Sequence, residues 1–246
     1  MEVNGNINQD ELKNLIVKDI VASNFKSAEV FEKYGIDFCC KGNRPLGQAC
    51  QENGVNMESL AGELKNIFES GSSDTNRYDM WQLSYLADYI VNNHHSYVKT
   101  MSPVISARLE KVLRAHGRNH PFLQDVADLF TAVSRDLELH LAKEEQVLFP
   151  MIKKIDEVKA SGNAEALEKL STVSGPIRVM ISEHDRAGDI LDRIRKITDN
   201  YRLPEDACTT FAVAYKELDE FERDLHKHVF LENNILFPKS LASARA

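Results

Sequence analysis

Two segments of the chain share one arrangement of chemically active residues. In the first segment, Glu144 follows His140 by four residues, and Leu-Phe-Pro comes after three more residues. In the second segment, Glu232 follows His228 at the same spacing and is followed in the same way by Leu-Phe-Pro. Residues four apart lie on one face of an α-helix, so each segment would direct an imidazole and a carboxylate to the same place. Two such helices facing each other could bind a pair of metal ions.

Four long helical patterns each carry a histidine where the spacing of apolar residues requires another apolar side chain. Burying ionisable groups in a helical core is costly unless a cation neutralises the carboxylates and takes up the imidazole lone pairs. His95 lies one residue off the apolar stripe of its helix, so we place His94 in the set, and the choice between these neighbours stays open. The predicted metal ligands are His94, His140, Glu144, His184, His228 and Glu232.

The order of these ligands repeats along the chain. The step from His94 to His140 is 46 residues, and the step from His184 to His228 is 44 residues. This repetition suggests two helix hairpins related by a pseudo-twofold axis, with the two glutamates placed to bridge both metals. The set contains no thiolate, which favours iron or manganese over a structural zinc site. Glu183, next to His184, is either a support for this centre or an ordinary solvated charge.

Helical periodicity dominates the whole chain, and strand-like alternation is almost absent. Modest connections between four long helices favour an antiparallel four-helix bundle. Pro103 is expected to kink the first of these helices, and Pro150 and Pro238 are expected to end or kink the second and the fourth. The long helices are predicted over residues 80–115, 121–159, 176–200 and 205–237.

A smaller module precedes the bundle. Asn24 is predicted to cap its second helix, and Gly35 to end that helix in a left-handed conformation. The fold class is therefore all-α, with residues 1–70 as a small helical domain, 71–77 as a polar linker and 78–246 as the bundle. The short helices are predicted over residues 11–21, 26–34, 46–52 and 57–70.

Cys39 and Cys40 lie side by side in a predicted loop of this small domain. As functional residues they would be a catalytic thiol pair that handles iron, a cluster or the thiol of a partner, with Lys41 and Arg44 lowering their pKa. The alternative is two small buried side chains that pack the module. The other two cysteines, at positions 50 and 208, are interpreted as packing residues, and the four together do not form a disulfide framework.

The composition limits the kinds of partner and the cellular compartment that we expect. The formal charge is −8 and there is no basic stripe, which argues against a nucleic-acid surface. The first nine residues are polar and no apolar run is long enough to cross a bilayer, so we expect no membrane association and a cytoplasmic protein. The oligomeric state is open, with a homodimer as one expectation.

The bundle segments closely resemble the hemerythrin-like domain, and the whole chain resembles the iron-sulfur cluster repair di-iron protein family. The small domain contributes Asp37-Phe-Cys-Cys-Lys-Gly42, which is similar to the cysteine signature of that family. The bundle contributes His140-x-x-x-Glu144-Glu-Gln-Val-Leu-Phe-Pro-Met-Ile152, Ser182-Glu-His184-Asp, Pro204-Glu-Asp-Ala-Cys-Thr-Thr210 and Leu231-Glu-Asn-Asn-Ile-Leu-Phe-Pro238.

The resemblance implies that the six predicted ligands hold two iron ions as a non-haem di-iron centre, bridged by Glu144 and Glu232. It implies a stress-response protein that repairs iron-sulfur clusters damaged by nitric oxide or oxidants, and we expect it to act by supplying iron. Its partners would then be iron-sulfur proteins with damaged clusters, with nitric oxide or oxygen as small ligands.

Two other functions remain alternatives. The first is an enzyme, a nitric oxide reductase, because a histidine-rich di-iron site can leave a coordination position open. The second is an oxygen-binding or oxygen-sensing module like other hemerythrin-like domains. The attached cysteine module is the motivation for cluster repair, and it makes the oxygen-binding function the weakest of the three.

Overall fold

The computed structural model describes residues 9–69 and 77–244, and their regular elements are helices. The chain divides into two compact units, one of residues 1–81 with 233–235 and one of residues 82–232 with 236–246. Of the predicted linker, residues 71–76 lie outside the described residues, and Arg77 precedes a 3₁₀ turn over Tyr78–Met80. The boundary of the small domain at residue 70 stays a prediction.

The small unit consists of short helices. Its core contains the apolar faces of these helices together with Phe38, which packs near Phe25 and Phe31 at ring-centroid distances of 6.4 Å. Its helices are α1 (Gln9–Leu12), α2 (Val17–Ser23), α3 (Ser27–Lys33), α4 (Leu46–Glu52) and α5 (Met57–Glu69).

The single helix predicted over residues 11–21 is wrong, because the chain forms two helices there with a turn between them. The backbone of this turn pairs with a distant segment. The Leu46 amide donates to the Leu15 carbonyl at 2.8 Å, and the Gly47 amide donates to the Lys13 carbonyl at 2.8 Å. These long-range hydrogen bonds replace the helical ones that the local apolar spacing predicts.

The end of α3 follows the prediction, and its beginning does not. Gly35 has a left-handed φ of 65° just after the helix, as predicted. Asn24 instead closes the C-terminus of α2, and its Oδ1 accepts a hydrogen bond from the Lys26 amide at 3.1 Å. Lys26, which precedes α3, makes no side-chain cap.

The second unit is built from four long helical runs, 83–116, 122–161, 174–197 and 209–243, as predicted for a helical bundle, except that residues 233–235 of the fourth run belong to the first unit. The first run packs against the second and the fourth, and the third packs against the second and the fourth. Consecutive runs are thus neighbours around the bundle. The α-helices are α6 (Leu83–Ile90), α7 (Ser96–His116), α8 (Phe122–Lys143), α9 (Phe149–Ser161), α10 (Ala164–Lys169), α11 (Ser174–Ile197), α12 (Thr209–Leu231) and α13 (Phe237–Ser243).

Three of the four runs are interrupted by a wide π-helical turn. These turns cover Val91–His95, Glu144–Leu148 and Glu232–Leu236. In the second and third, the amide after the turn donates to the carbonyl five residues back, from Phe149 to Glu144 and from Phe237 to Glu232. A π-turn holds one more residue than an α-helical turn, so it shifts the face that later residues present.

Pro150 and Pro238 do not end their helical runs, and both have the same position relative to a π-turn. Each is the second residue of the α-helix that follows a π-turn, α9 or α13. Proline has no amide hydrogen, so it cannot complete the α-helical bond to the carbonyl four residues earlier. The wider turn falls where that bond is missing. Pro103 lies inside α7, which continues to His116. Among the described residues, no helix has both the length and the apolar character needed to cross a bilayer.

Candidate metal centre

The π-turns lie inside three of the helical runs and supply three of the candidate ligands. His95 is the last residue of the first π-turn, and Glu144 and Glu232 begin the other two. The helical turn before each glutamate carries His140 or His228, at the ends of α8 and α12. The remaining histidine, at position 184, comes from α11.

Six buried side chains form two groups with metal-binding geometry. Within each group one ligand atom from every residue lies within 4.8 Å of the others. Both glutamates belong to both groups, so the two groups have these two carboxylates in common. The first group is His95, Glu144, His228 and Glu232, and the second is His140, Glu144, His184 and Glu232.

Glu144 lies between two imidazoles. Its Oε2 is 3.3 Å from His140 Nε2 and 3.4 Å from His95 Nε2. Neither carboxylate oxygen of Glu144 has a hydrogen-bond partner among the described residues, and His95 Nε2 has none either. A fully buried carboxylate in this condition carries a large desolvation penalty, which a bound cation would offset.

Glu232 has the equivalent position in the other half. Its Oε1 lies 3.1 Å from His228 Nε2, and its Oε2 lies 3.1 Å from His184 Nε2. The His184 and His140 Nε2 atoms are 3.0 Å apart. Lone pairs from four imidazoles and two carboxylates therefore converge on two adjacent places, which fits a pair of cations better than a set of hydrogen bonds.

The electrostatics of the centre keep both carboxylates charged. Burial and the neighbouring Glu232 charge raise the pKa of Glu144, but His140 and His95 lower it further, so that the net shift is downward. The same balance of burial against His228 and His184 lowers the pKa of Glu232 well below its usual range. Two charged carboxylates side by side in a helical core are suited to cation binding.

The histidines respond to those carboxylates in different ways. Burial lowers the pKa of His95, but the negative charges of Glu144 and Glu232, 3.4 and 3.9 Å from its Nε2, raise it to about 10. For His140 the same opposition gives a pKa of about 9. Burial prevails at His228 and lowers its pKa, so this imidazole is neutral, the form that binds a metal.

The structure does not bring His94 into either group, although the sequence predicts it as a ligand. His94 Nδ1 lies 2.9 Å from Asp224 Oδ1, and the His94 ring stacks on His228 with centroids 5.8 Å apart. His95 takes the inward position instead and is fully buried. The cause is the π-turn over Val91–His95, whose additional residue moves the inward face one position along the chain.

Two carboxylates outside the groups orient the imidazoles. Glu183 Oε2 lies 3.0 Å from His140 Nδ1, and Glu183 Oε1 accepts from Lys143 Nζ at 2.6 Å. Glu145 Oε1 lies 2.8 Å from His95 Nδ1 and 2.7 Å from Lys99 Nζ. Carboxylates at this position fix the ring and the tautomer of a metal-binding histidine. Glu183 was recognisable in the sequence beside His184, but nothing in the pattern distinguished Glu145.

A pocket opens onto the His140 side of the centre. It is lined by apolar side chains and by charged ones, including Asp136, Lys143 and Glu183, and His140 and His184 are among its lining residues. A pocket that carries charged groups and touches two candidate ligands offers a route by which a hydrated cation can approach them.

The cysteine pair forms a third cluster, in the small unit. Cys39 and Cys40 have their Sγ atoms 3.7 Å apart, and the Asp37 Oδ1 atom is 3.4 Å from Cys39 Sγ. The Cys40 hydrogen bond, burial and the Asp37 charge raise the pKa of Cys39 well above its ordinary value. This is opposite to the lowering predicted from Lys41 and Arg44.

The two other cysteines differ from each other. Cys50 is buried and its Sγ lies 3.6 Å from Met57 Sδ, which agrees with a packing role. Cys208 is exposed, so its interpretation as a packing residue is wrong. The Phe211 backbone amide and His116 lower the pKa of Cys208 to about 7.

Four helices that enclose two histidine and glutamate groups define a metal-binding bundle of the hemerythrin type. In agreement, the family model of the hemerythrin HHE cation binding domain matches residues 86–240, more than half of the chain. A second model, described as a domain of unknown function (DUF542), matches residues 13–67. The bundle is therefore a cation-binding domain of this class.

Relatives match both parts of the chain together. The iron-sulfur cluster repair protein YtfE of Enterobacter sp. (strain 638) is 34% identical over 91% of this chain and 95% of its own length. The iron-sulfur cluster repair protein ScdA of Staphylococcus haemolyticus is 32% identical over 91% of this chain and 96% of its own length. The chain belongs to the iron-sulfur cluster repair protein family.

Proposed function

We propose that the bundle holds two iron ions and that the protein repairs damaged iron-sulfur clusters by supplying iron to them. The main support for this proposal is the pair of groups that share Glu144 and Glu232. Each group offers two imidazoles and two carboxylates, a set that suits iron or manganese. The family of the chain favours iron. Bound iron would supply Lewis acidity and redox chemistry at this place.

The proposed ligands are the six buried side chains, with His95 in the position first assigned to His94. Glu144 and Glu232 would each contact both ions, because each belongs to both groups. His95 and His228 would complete one ion's ligands, and His140 and the histidine of α11 would complete the other's. Each ion would then receive one histidine from each half of the chain, as the pseudo-twofold arrangement requires.

The surrounding residues have separate tasks in this proposal. Glu183 and Glu145 hold the rings of His140 and His95 through their Nδ1 atoms. Lys143 and Lys99 balance the charge of those two carboxylates from the outside. The pocket beside His140 provides the path along which an ion enters and leaves, which a supplier of iron requires and a permanent structural site does not.

The proposed recipients are iron-sulfur proteins with damaged clusters. This follows from the relatives, which are iron-sulfur cluster repair proteins and align with this chain over nearly its whole length. Both parts of the chain take part in the alignment, so we assign the repair function to the whole protein and not to the bundle alone.

The proposal is tested by metal content and by iron transfer. The wild-type chain and the His228→Ala/Glu232→Ala variant are purified without oxygen and analysed for iron. We expect about two irons per wild-type chain, one for each of the two groups, and a loss of iron in the variant. In the transfer assay, an enzyme whose cluster has been damaged by nitric oxide should regain activity with the wild-type chain and not with the variant.

The matched control replaces a histidine and carboxylate pair outside the centre. His120 Nε2 and Asp206 Oδ1 are 2.7 Å apart in an exposed position. The His120→Ala/Asp206→Ala variant should keep its iron and its transfer activity. Zinc in place of iron after iron-replete expression would contradict the iron assignment, and iron-loaded chain that restores no enzyme would contradict the supply function.

A further inference from the structure

The loop of the small unit that carries Cys39 and Cys40 has features of a binding site. Asp37, Cys39 and Cys40 form a third cluster whose ligand atoms lie within 4.8 Å of one another. Its donors are two sulfurs and a carboxylate oxygen, a set unlike the nitrogen and oxygen donors of the bundle. Sulfur donors select thiophilic cations.

The distances within this cluster agree with tetrahedral coordination of one ion. A tetrahedral ion with two metal–sulfur bonds of about 2.3 Å holds the sulfurs about 3.8 Å apart. The Sγ atoms of Cys39 and Cys40 are 3.7 Å apart. A metal–oxygen bond of about 2.1 Å would place oxygen and sulfur about 3.6 Å apart. The distance from Asp37 Oδ1 to Cys39 Sγ is 3.4 Å.

The backbone of the loop holds these donors in place. Asp37 Oδ1 accepts hydrogen bonds from the Cys39 and Cys40 amides at 3.0 and 2.9 Å. A Cβ atom on Gly42 would lie 2.1 Å from the Phe38 carbonyl oxygen, so only glycine allows the loop to close this tightly. The Gly42 carbonyl in turn accepts from the Lys18 amide at 3.0 Å, which ties the loop to α2. Such pre-organisation is what a small binding site needs.

The cluster is also open on one side. Cys39 is buried, whereas Asp37 and Cys40 are half-buried, so an ion can reach the donors from the surface. Three protein donors leave the fourth tetrahedral position to water or to an incoming ligand. Sites with three protein donors keep a position for an incoming ligand, whereas closed four-donor sites are structural.

We propose that Asp37, Cys39 and Cys40 bind one thiophilic divalent cation through two thiolates and a carboxylate oxygen, with the fourth position open. Binding releases the two thiol protons to solvent and changes no oxidation state. The identity of the ion as iron(II) in transit rests on the proposed function. An open position would let a thiolate of a recipient protein enter before the chain's own thiolates leave.

The test uses cobalt(II) as the probe, added without oxygen to the reduced full-length chain. A cobalt–thiolate bond has a charge-transfer absorption that histidine and carboxylate ligands do not produce, so the bundle adds nothing to this band. At saturation we expect an intensity that corresponds to about one thiolate-bound cobalt per chain, as one tetrahedral site requires. The Cys39→Ser/Cys40→Ser variant should lose it. The Cys208→Ser variant, which removes an exposed thiol elsewhere, should keep it.

Asp37→Asn provides a second variant that preserves the loop. The amide oxygen of asparagine can still accept from both backbone amides, but the negative charge is lost. We expect the cobalt affinity measured from the band to fall about tenfold or more, within the range for weakened metal sites. Thermal unfolding should show that each variant is folded.

The outcomes separate this inference from the proposed function. A band that persists in Cys39→Ser/Cys40→Ser, or no band in a wild-type chain with reduced thiols, would overturn the inference while two irons in the bundle still supported the proposed function. Conversely, a cysteine-dependent band in a chain whose bundle takes up no iron would support the site and contradict the proposed function.

Discussion

The rings of His184 and Phe237 are parallel, with 2° between their planes and 6.1 Å between their centroids. Phe237 belongs to the second Leu-Phe-Pro sequence. The phenylalanine of the first, Phe149, stacks on His95 with centroids 5.5 Å apart. Each repeated phenylalanine therefore covers a histidine that comes from a different helical run. The phenylalanine that follows each histidine and glutamate pair therefore packs on a histidine of the other group.

Removing one of these rings should weaken both the fold and the centre. Phe237 is almost fully buried, so Phe237→Ala should destabilise the chain by about 3–5 kcal/mol. It should also reduce iron retention, because the His184 ring loses the surface that fixes its orientation. Denaturant unfolding and iron analysis measure the two effects. Phe130→Ala is the matched control, since Phe130 is equally buried but packs on Phe221. Similar iron loss in both variants would show that His184 does not depend on this stacking.

Adjacent histidines should differ sharply in their effect on metal content. His95 lies within 3.4 Å of Glu144, whereas His94 bonds to Asp224. We expect His95→Ala to lose about one of two irons per chain or more, since it removes a ligand from one group. The His94→Ala variant should retain both. Iron analysis of the two anaerobically purified variants measures this difference in iron content, and circular dichroism confirms their helical content. The reverse result would restore the assignment that the apolar spacing predicts.

Glu183 and Glu145, which contact two of the imidazoles from outside the two groups, should set the affinity for iron rather than the number of ions bound. Glu183→Gln keeps an acceptor for His140 Nδ1 but removes the charge, so iron affinity should fall about tenfold. Glu183→Ala removes the acceptor too, and the loss should approach about 100-fold. Competition with a chelator measures both. Glu217, which pairs with Arg108 away from the centre, offers the control Glu217→Gln. Equal affinities in the Glu183 variants and the wild type would remove this residue from the centre.

The metal-free chain should lose stability as the pH rises through the neutral and alkaline range. The pKa of His95 rises from an ordinary 6.5 to about 10 in the folded chain. Below 6.5 its ion pairs with the glutamates contribute fully, and that contribution disappears as the pH approaches 10. His140, with a pKa of about 9, adds to the same trend. Thermal unfolding in the presence of a chelator should show the melting temperature falling across this window.

The control for this pH effect is the His95→Ala variant, which should show a shallower fall. Iron-loaded chain should behave differently, because its imidazoles are held neutral by the metal at every pH of the window. A metal-free melting temperature that rose between 6.5 and about 10 would contradict the assigned ion pairs.

The apolar spacing of the sequence is enough to predict the bundle and to bring five of the six predicted ligands into the two groups. It selects His94 where the structure brings His95 to the glutamates, because a period of 3.6 residues assumes α-helical hydrogen bonds throughout. A π-turn forms where a backbone amide donates to the carbonyl five residues back instead of four. The spacing of apolar residues does not show which of these bonds forms. The prediction for residues 11–21 fails for a related reason, since the turn there is held by bonds to residues 45–47. The thiol environment of Cys39 likewise depends on burial and on Asp37 Oδ1, which spacing along the chain cannot give.

Each π-turn has the length of an α-helical segment with one residue inserted. Insertion of a single codon within residues 91–95 would convert a helix that presents His94 to the core into one that presents His95. Relative to an uninterrupted α-helix, the residue that faces the core beyond each insertion comes one position later in the chain, a shift of about 100° around the helix. Three such insertions, one in each of three helical runs, turn a histidine or a glutamate toward the core and leave the apolar faces on both sides of it packed. A metal-binding centre can thus arise inside an existing helical scaffold by changes of length as well as by changes of residue type.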